Sequence, residues 1–247
     1  MQINFGGREI ALKLVYYGPA LSGKTTNLRA VHQLTSEASR GRLMTLETKD
    51  DRTLFFDMLP LTLRGEQEPG STPPMTMRIK IFTVPGQVLH ASTRRLVLQG
   101  ADGVAFVADS QISETEHNAA SFIDLRQNLG ELGLTLKEIP IVIQFNKRDL
   151  DKIRSDDEID ALARRGREPV FKASAVTGNG VLETFFGLLY IIWAKLDREH
   201  QLAKMLGVRS SDLLPMAARQ FGVSTDVSTL LGSCVGGDLD RHLQVRT

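Results

Sequence analysis

The chain has 247 residues, room for one α/β domain with an appendage or for two small domains, and an apolar content of 42% that suits a buried core and excludes wholesale disorder. A formal net charge of +1 gives no general pull toward nucleic acid or an anionic membrane. The single cysteine, Cys234, excludes an internal disulfide and fits a reducing compartment.

The opening stretch MQINFGGREIALKLVYY lacks the basic-then-apolar order of a secretory signal. No apolar run approaches the ~20 residues of a membrane span, and Cys234 lies too far from the end for prenylation. A cytoplasmic protein without an integral membrane segment is expected. ALKLVYY reads as a buried strand that runs into a glycine-rich loop, and a helix follows from about Lys24, with Leu28, Val31 and Leu34 at helical spacing. RLMTLE reads as a second strand. TMRIKIFTV alternates with period two, as a strand near the sheet edge does. GVAFVADS and IPIVIQFN are continuous apolar runs of the kind covered on both faces, and EPVFKAS is a sixth candidate. Helical segments fall near 90–98, 114–132, 156–165 and 180–196, and Arg64–Met75 has the Pro, Gly and charge content of an exposed loop. Strands alternating with helices imply βαβ units and a mostly parallel six-stranded sheet with helices on both faces. After about Asp197 the pattern stops, so residues 1–196 read as the domain and 197–247 as a partly helical extension that starts a helix at Ser210-Ser211-Asp212.

GPALSGKT, Gly18 to Thr25, has the spacing G-x-x-x-x-G-K-[ST] between a strand and a helix, which makes it a phosphate-binding loop. Amides of Ala20, Leu21, Ser22, Gly23 and the helix start would face anionic oxygens, with Lys24 and Thr26 beside them. Lys24 supplies a compact charge to the β- and γ-phosphates, and Thr25 offers a hydroxyl to Mg²⁺. Asn146-Lys147-Arg148-Asp149 stands at the C-terminal end of a strand, where α/β folds place ligands. A carboxylate at Asp149 accepts from N1 and N2 of guanine, a donor pair adenine lacks. Asn146 can serve the N7 edge and the Lys147 stem can cover the base. Ser174-Ala175-Val176 follows another strand-like run and offers an amide to the base O6.

Taken in order, GPALSGKT, TLETKDDRTLFFDMLPL, TVPGQ, NKRD and SAV resemble a Ras-like small GTPase, and their wording resembles the bacterial gliding-motility and cell-polarity GTPases of the MglA type. The resemblance covers roughly Ile10 to Leu196. It implies a P-loop NTPase G domain that binds GTP or GDP with Mg²⁺. It implies that Gln87 orients the attacking water, Gly86 senses the γ-phosphate and Thr53 completes the Mg²⁺ shell with Thr25. It also implies that Arg52 supplies a cis arginine, a residue worth about 10³–10⁵ in rate. The lesser alternatives are Arg52 as a surface partner of Asp50 or Asp51, and Gln87 as a polar residue at a helix start. A homodimeric roadblock-fold activating protein, polarity or motility effectors and recruitment to a cell pole are implied in the same way. The tail lies outside the resemblance.

Two features set the chemistry apart. The usual D-x-x-G reads Thr83-Val84-Pro85-Gly86, so no carboxylate is expected behind the metal, and Mg²⁺ would rest on Thr25, Thr53, phosphate oxygens and water, a departure that MglA-type proteins share. Ala20 places a methyl group where a glycine lets the catalytic groups close on the γ-phosphate. The expected activity is therefore slow GTP hydrolysis by a molecular switch. The alternative is a GTP-locked scaffold whose tail carries the output. Phe55-Phe56 reads as core or as a docking surface beside the first switch, Arg94-Arg95 as a solvated helix face, and the five histidines show no metal-ligand spacing.

Overall fold

The computed structural model describes residues 1–46, 56–65, 74–85, 91–206, 208, 210–223, 231–232 and 234. Among these, one mixed sheet holds β1 (Gln2–Asn4), β2 (Glu9–Tyr17), β3 (Met44–Leu46), β4 (Phe56–Arg64), β5 (Thr76–Thr83), β6 (Gly103–Asp109), β7 (Ile141–Asn146) and β8 (Val170–Lys172). The order is β3-β4-β5-β2-β6-β7-β8, with β5, β2, β6, β7 and β8 parallel and β3 and β4 antiparallel. β1 pairs antiparallel with Glu9–Ala11, the part of β2 that precedes the register of β6, which begins opposite Leu14. The α/β class with helices on both faces is as expected. The sheet is larger than the six strands that alternation picks out, by β1 and β4.

The helices are α1 (Lys24–Leu34), α2 (Ala91–Leu98), α3 (Thr115–Glu131), α4 (Asp156–Arg165), α5 (Val181–His200), α6 (Leu202–Leu206) and α7 (Ser210–Arg219). One face of the sheet carries α1, α5 and the two C-terminal helices over Leu12, Leu14, Leu59, Leu61, Ile79 and Ile81. The other carries α2 and α3 over Val15, Tyr17, Val104 and Phe106, and α4 over Val170. α4 starts on a complete capping box between Ser155 and Glu158, with acids in its first turn and Arg164 and Arg165 in its last, matching the helix dipole at both ends. α5 is buried along most of its length, and Gly187 lets it lie against Phe171: a Cβ there would stand 2.3 Å from the ring.

β5 is interior, between β4 and β2, and not near the edge. Its alternation has another cause: Met77, Ile79 and Ile81 enter the core, while Arg78 and Lys80 point to an uncovered part of the opposite face. The chain after Asp197 does not stand apart. Leu202, Leu206, Leu213, Leu214, Met216 and Phe221 are buried in the same core cluster as α5 and β4.

Candidate functional site

The loop Gly18–Thr25 leaves the C-terminal end of β2 and opens α1. Gly18 has φ 140°, and a Cβ on it would fall 2.2 Å from the Val107 carbonyl oxygen. Gly23 has φ 97°, with a Cβ position 2.2 Å from Asn146 Nδ2, so both glycines are demanded by backbone angle and by space. Ala20 and Leu21 form the exposed crest, Leu21 at φ 61° and 88% exposed. α1 begins without a side-chain cap and without an acid in its first turn, which leaves its N-terminal amides to an anion. Ser22 Oγ is fully buried with no hydrogen-bond partner among the described residues, and Thr26 is half-buried in the first turn.

Lys24 is buried, and its Nζ donates to the carbonyls of Gly18 (2.9 Å) and Pro19 (2.6 Å). Burial, reinforced by the positive charge of Arg94, pulls its pKa down to about 8, against the attraction of Asp57. An ammonium so short of solvation has much to gain from an anionic phosphate.

The metal side departs from the sequence reading. No carboxylate comes from Thr83-Val84-Pro85-Gly86, but one comes from the strand alongside. Asp57, on β4, accepts from Thr25 Oγ1 at 2.6 Å, from Thr45 Oγ1 at 2.8 Å and from Thr83 Oγ1 at 3.2 Å, while Thr83 Oγ1 accepts from the Asp57 amide at 2.9 Å. The threonine in the motif and the aspartate beside it thus form one buried unit. The Thr25 hydroxyl hydrogen is committed to Asp57, and its oxygen lone pairs stay available to a hard cation. Among the described residues no cluster of three His, Cys, Asp or Glu could hold a metal.

On the base side, Asn146 ties three segments together. Its Nδ2 donates to the Ser22 carbonyl at 2.8 Å and its Oδ1 accepts from the Ala175 amide at 2.9 Å. One Nδ2 hydrogen and one Oδ1 lone pair are used in this way, so Asn146 is a stitch between the phosphate loop and Ser174-Ala175-Val176, with its second Nδ2 hydrogen outside these bonds. Ser174 Oγ donates to Asp149 Oδ1 at 2.5 Å, which holds one carboxylate oxygen and leaves the exposed group's Oδ2 for a ligand. Lys147, at φ 66°, is fixed by an ion pair to Asp109 Oδ2 at 2.5 Å, and the buried Asp109 also accepts from the Gln111 amide. Val176 is 78% exposed at the tip of its loop.

Two buried polar groupings escape a sequence reading, because their members are far apart in the chain. Arg94 is not on a solvated face. It is buried and paired with Asp124 at 2.8 Å, and the same carboxylate accepts from Tyr17, the last residue before the phosphate loop. Gln144 Nε2 donates to Asn27 of α1 and to Thr184 of α5, anchoring the helix that follows the loop. Phe56 is half-buried against Phe82, with ring centroids 6.0 Å apart. Arg52, Thr53, Phe55, Gly86, Gln87 and His90 lie outside the described residues.

No protein-family model matches the chain. It is similar to the mutual gliding-motility protein MglA of Myxococcus xanthus (strain DK1622), with 45% identity over 196 residues, which are 79% of this chain and 97% of the relative.

Proposed function

The chain belongs to the MglA family of small GTPases, and from that premise we propose that it binds GTP and GDP with Mg²⁺, hydrolyses GTP slowly, and acts as a molecular switch in gliding motility or cell polarity. The observation that carries this reading is the Asn146 stitch. It ties the loop bearing Lys24 to the loop bearing Ala175, and Ser174 ties that loop to Asp149, which supports a single nucleotide meeting both its phosphate and its guanine groups there. Lys24 would neutralise the β- and γ-phosphates, and Asp149 would accept from N1 and N2 of the base. Thr25 would hold the Mg²⁺, with Asp57 orienting the hydroxyl and Thr53 completing the shell; the ion, when bound, supplies charge neutralisation at the β- and γ-oxygens.

Gln87 is assigned to the attacking water and Arg52 to the charge that grows between the β- and γ-phosphates, both from the family resemblance. Because that arginine belongs to the chain itself, an activating protein need only settle existing groups into place, and a homodimeric roadblock-fold protein is the partner class proposed. Ordering of the two switch segments by the γ-phosphate would then create the surface that effectors recognise. Among the described residues no helix is long and apolar enough to cross a membrane.

Calorimetry with Mg²⁺ tests the reading. Guanosine triphosphate should bind and adenosine triphosphate should not compete; equal uptake of both would overturn it. A second reading, a GTP-locked scaffold, rests on Ala20 at the exposed crest of the loop. A hydrolysis time course with the bound nucleotide identified by chromatography separates the two: complete retention of GTP favours the scaffold.

A further inference from the structure

The relative spans 196 residues of this chain, so much of the C-terminal extension has no counterpart in it. In this molecule the described part of the extension packs against α5 and the sheet. α7 lies against α5 and β4, and the residues just after it engage the segments around β4. Phe221 packs between Phe185 and Phe186 of α5, with ring centroids 5.4 Å and 5.3 Å away. That fixes Gln220 over the connection between α1 and β3. The Gln220 carbonyl accepts from the Ser36 amide at 3.0 Å, its Oε1 accepts from Ser39 Oγ, and its Nε2 donates to the Arg64 carbonyl at 3.3 Å. Ser39 in turn accepts at its carbonyl from the Thr62 amide at 2.8 Å. One glutamine therefore closes hydrogen bonds both to the end of β4 and to the segment that is itself bonded to β4.

The opposite end of the same strand carries Asp57 under the Thr25 hydroxyl. From Asp57 to Arg64 is seven strand residues, roughly 23 Å at the usual rise. β4 is paired with β5 along Met58–Arg64 and alternates strictly between core and opposite face, so its register, and with it the place of Asp57, is strongly specified.

We infer that Gln220 is a positioning residue: together with α7 it clamps the Arg64 end of β4 and thereby holds Asp57 at Thr25, tightening the retention of Mg²⁺ and nucleotide from outside the site. This rests on the nucleotide-switch reading above. It makes the extension part of the nucleotide-holding apparatus, so that any ligand or modification that lifts α7 off β4 would speed nucleotide release.

The test is the release rate of fluorescently labelled GDP from the full-length protein across a magnesium titration. Gln220→Ala is expected to accelerate release roughly three- to tenfold and to raise the magnesium concentration needed for half-maximal retention. Gln220→Glu keeps the acceptor for Ser39 and should recover part of the effect, and it serves if the alanine variant does not fold. In an Asp57→Asn background the Gln220 substitution should add nothing, because the two act in series. An unchanged magnesium midpoint with merely lower thermal stability would overturn the inference, as would equal acceleration in the Asp57→Asn background. If the unaltered protein binds no GDP, the site reading fails separately. The clamp is then decided by amide exchange over 56–64: unchanged protection in Gln220→Ala overturns it, and raised exchange at Asp57 supports it.

Discussion

Asp57 Oδ2 lies 2.6 Å from Thr25 Oγ1, so the hydroxyl that opens α1 is held by a carboxylate on an antiparallel strand and not by one from the motif at the end of β5. Outer-shell carboxylates of this kind orient the ligand that touches the metal, and their loss costs about 10–100-fold in metal affinity. Asp57→Ala should therefore raise the magnesium concentration that retains GDP by about that factor, measured by labelled-nucleotide release. Guanine specificity should be unaltered, since Asp149 lies on the other side of the site.

Lys24 makes binding dependent on pH in a predictable direction. Its pKa of about 8 in the ligand-free fold lies below the ordinary 10.5, and a bound phosphate would raise it again. Below pH 8 the group is charged with or without ligand, and affinity is flat on its account. Above pH 8 binding must take up a proton, so affinity for GDP should fall, at most about tenfold per pH unit. The ligand-free fold behaves oppositely. Between about 8 and 10.5 the unfolded chain holds more protons on this lysine, so the lysine's contribution to stability grows as pH rises through that window. Calorimetric affinity and thermal unfolding over this range would check both slopes.

Ala20→Gly should speed single-turnover GTP hydrolysis at least several-fold, because a misplacement of about 1 Å at the reacting centre can cost 10²-fold. GDP affinity should be little changed, since the loop amides keep their directions. An unaltered hydrolysis rate would show that the methyl group does not obstruct the approach of Gln87 or Arg52.

Asp149→Asn replaces an acceptor pair with a donor and an acceptor. GTP should lose about 10²-fold or more in affinity, because its N2 amine then faces an NH₂ group. Xanthosine triphosphate, with a carbonyl at that position, should gain. Competition binding of the two nucleotides reads the exchange directly.

The parts legible in the sequence are those where local chemistry has few alternatives. Gly18 and Gly23 occupy backbone angles that other residues avoid, and β6 and β7 are mostly apolar because both their faces are covered. β4 is hard to read from its sequence because it carries Pro60, a residue that usually argues against an interior strand. It is accommodated because β3 pairs only with Phe56–Met58, and at Pro60 that side of the strand meets the connection to β3, where the Pro60 carbonyl accepts from the Gly41 amide. Asp57 takes on its role only where the β4–β5 register brings it beside Thr83. The burial of Arg94 and the docking of Phe221 were equally invisible, since Asp124, Phe185 and Phe186 are distant in sequence and no periodicity relates them.

Asn146 has an energetic consequence. Because one amide group joins the loop bearing Lys24 to the loop bearing Ala175 in the ligand-free fold, the two segments are set relative to each other in advance, and a ligand that spans them would spend no binding energy on ordering that junction.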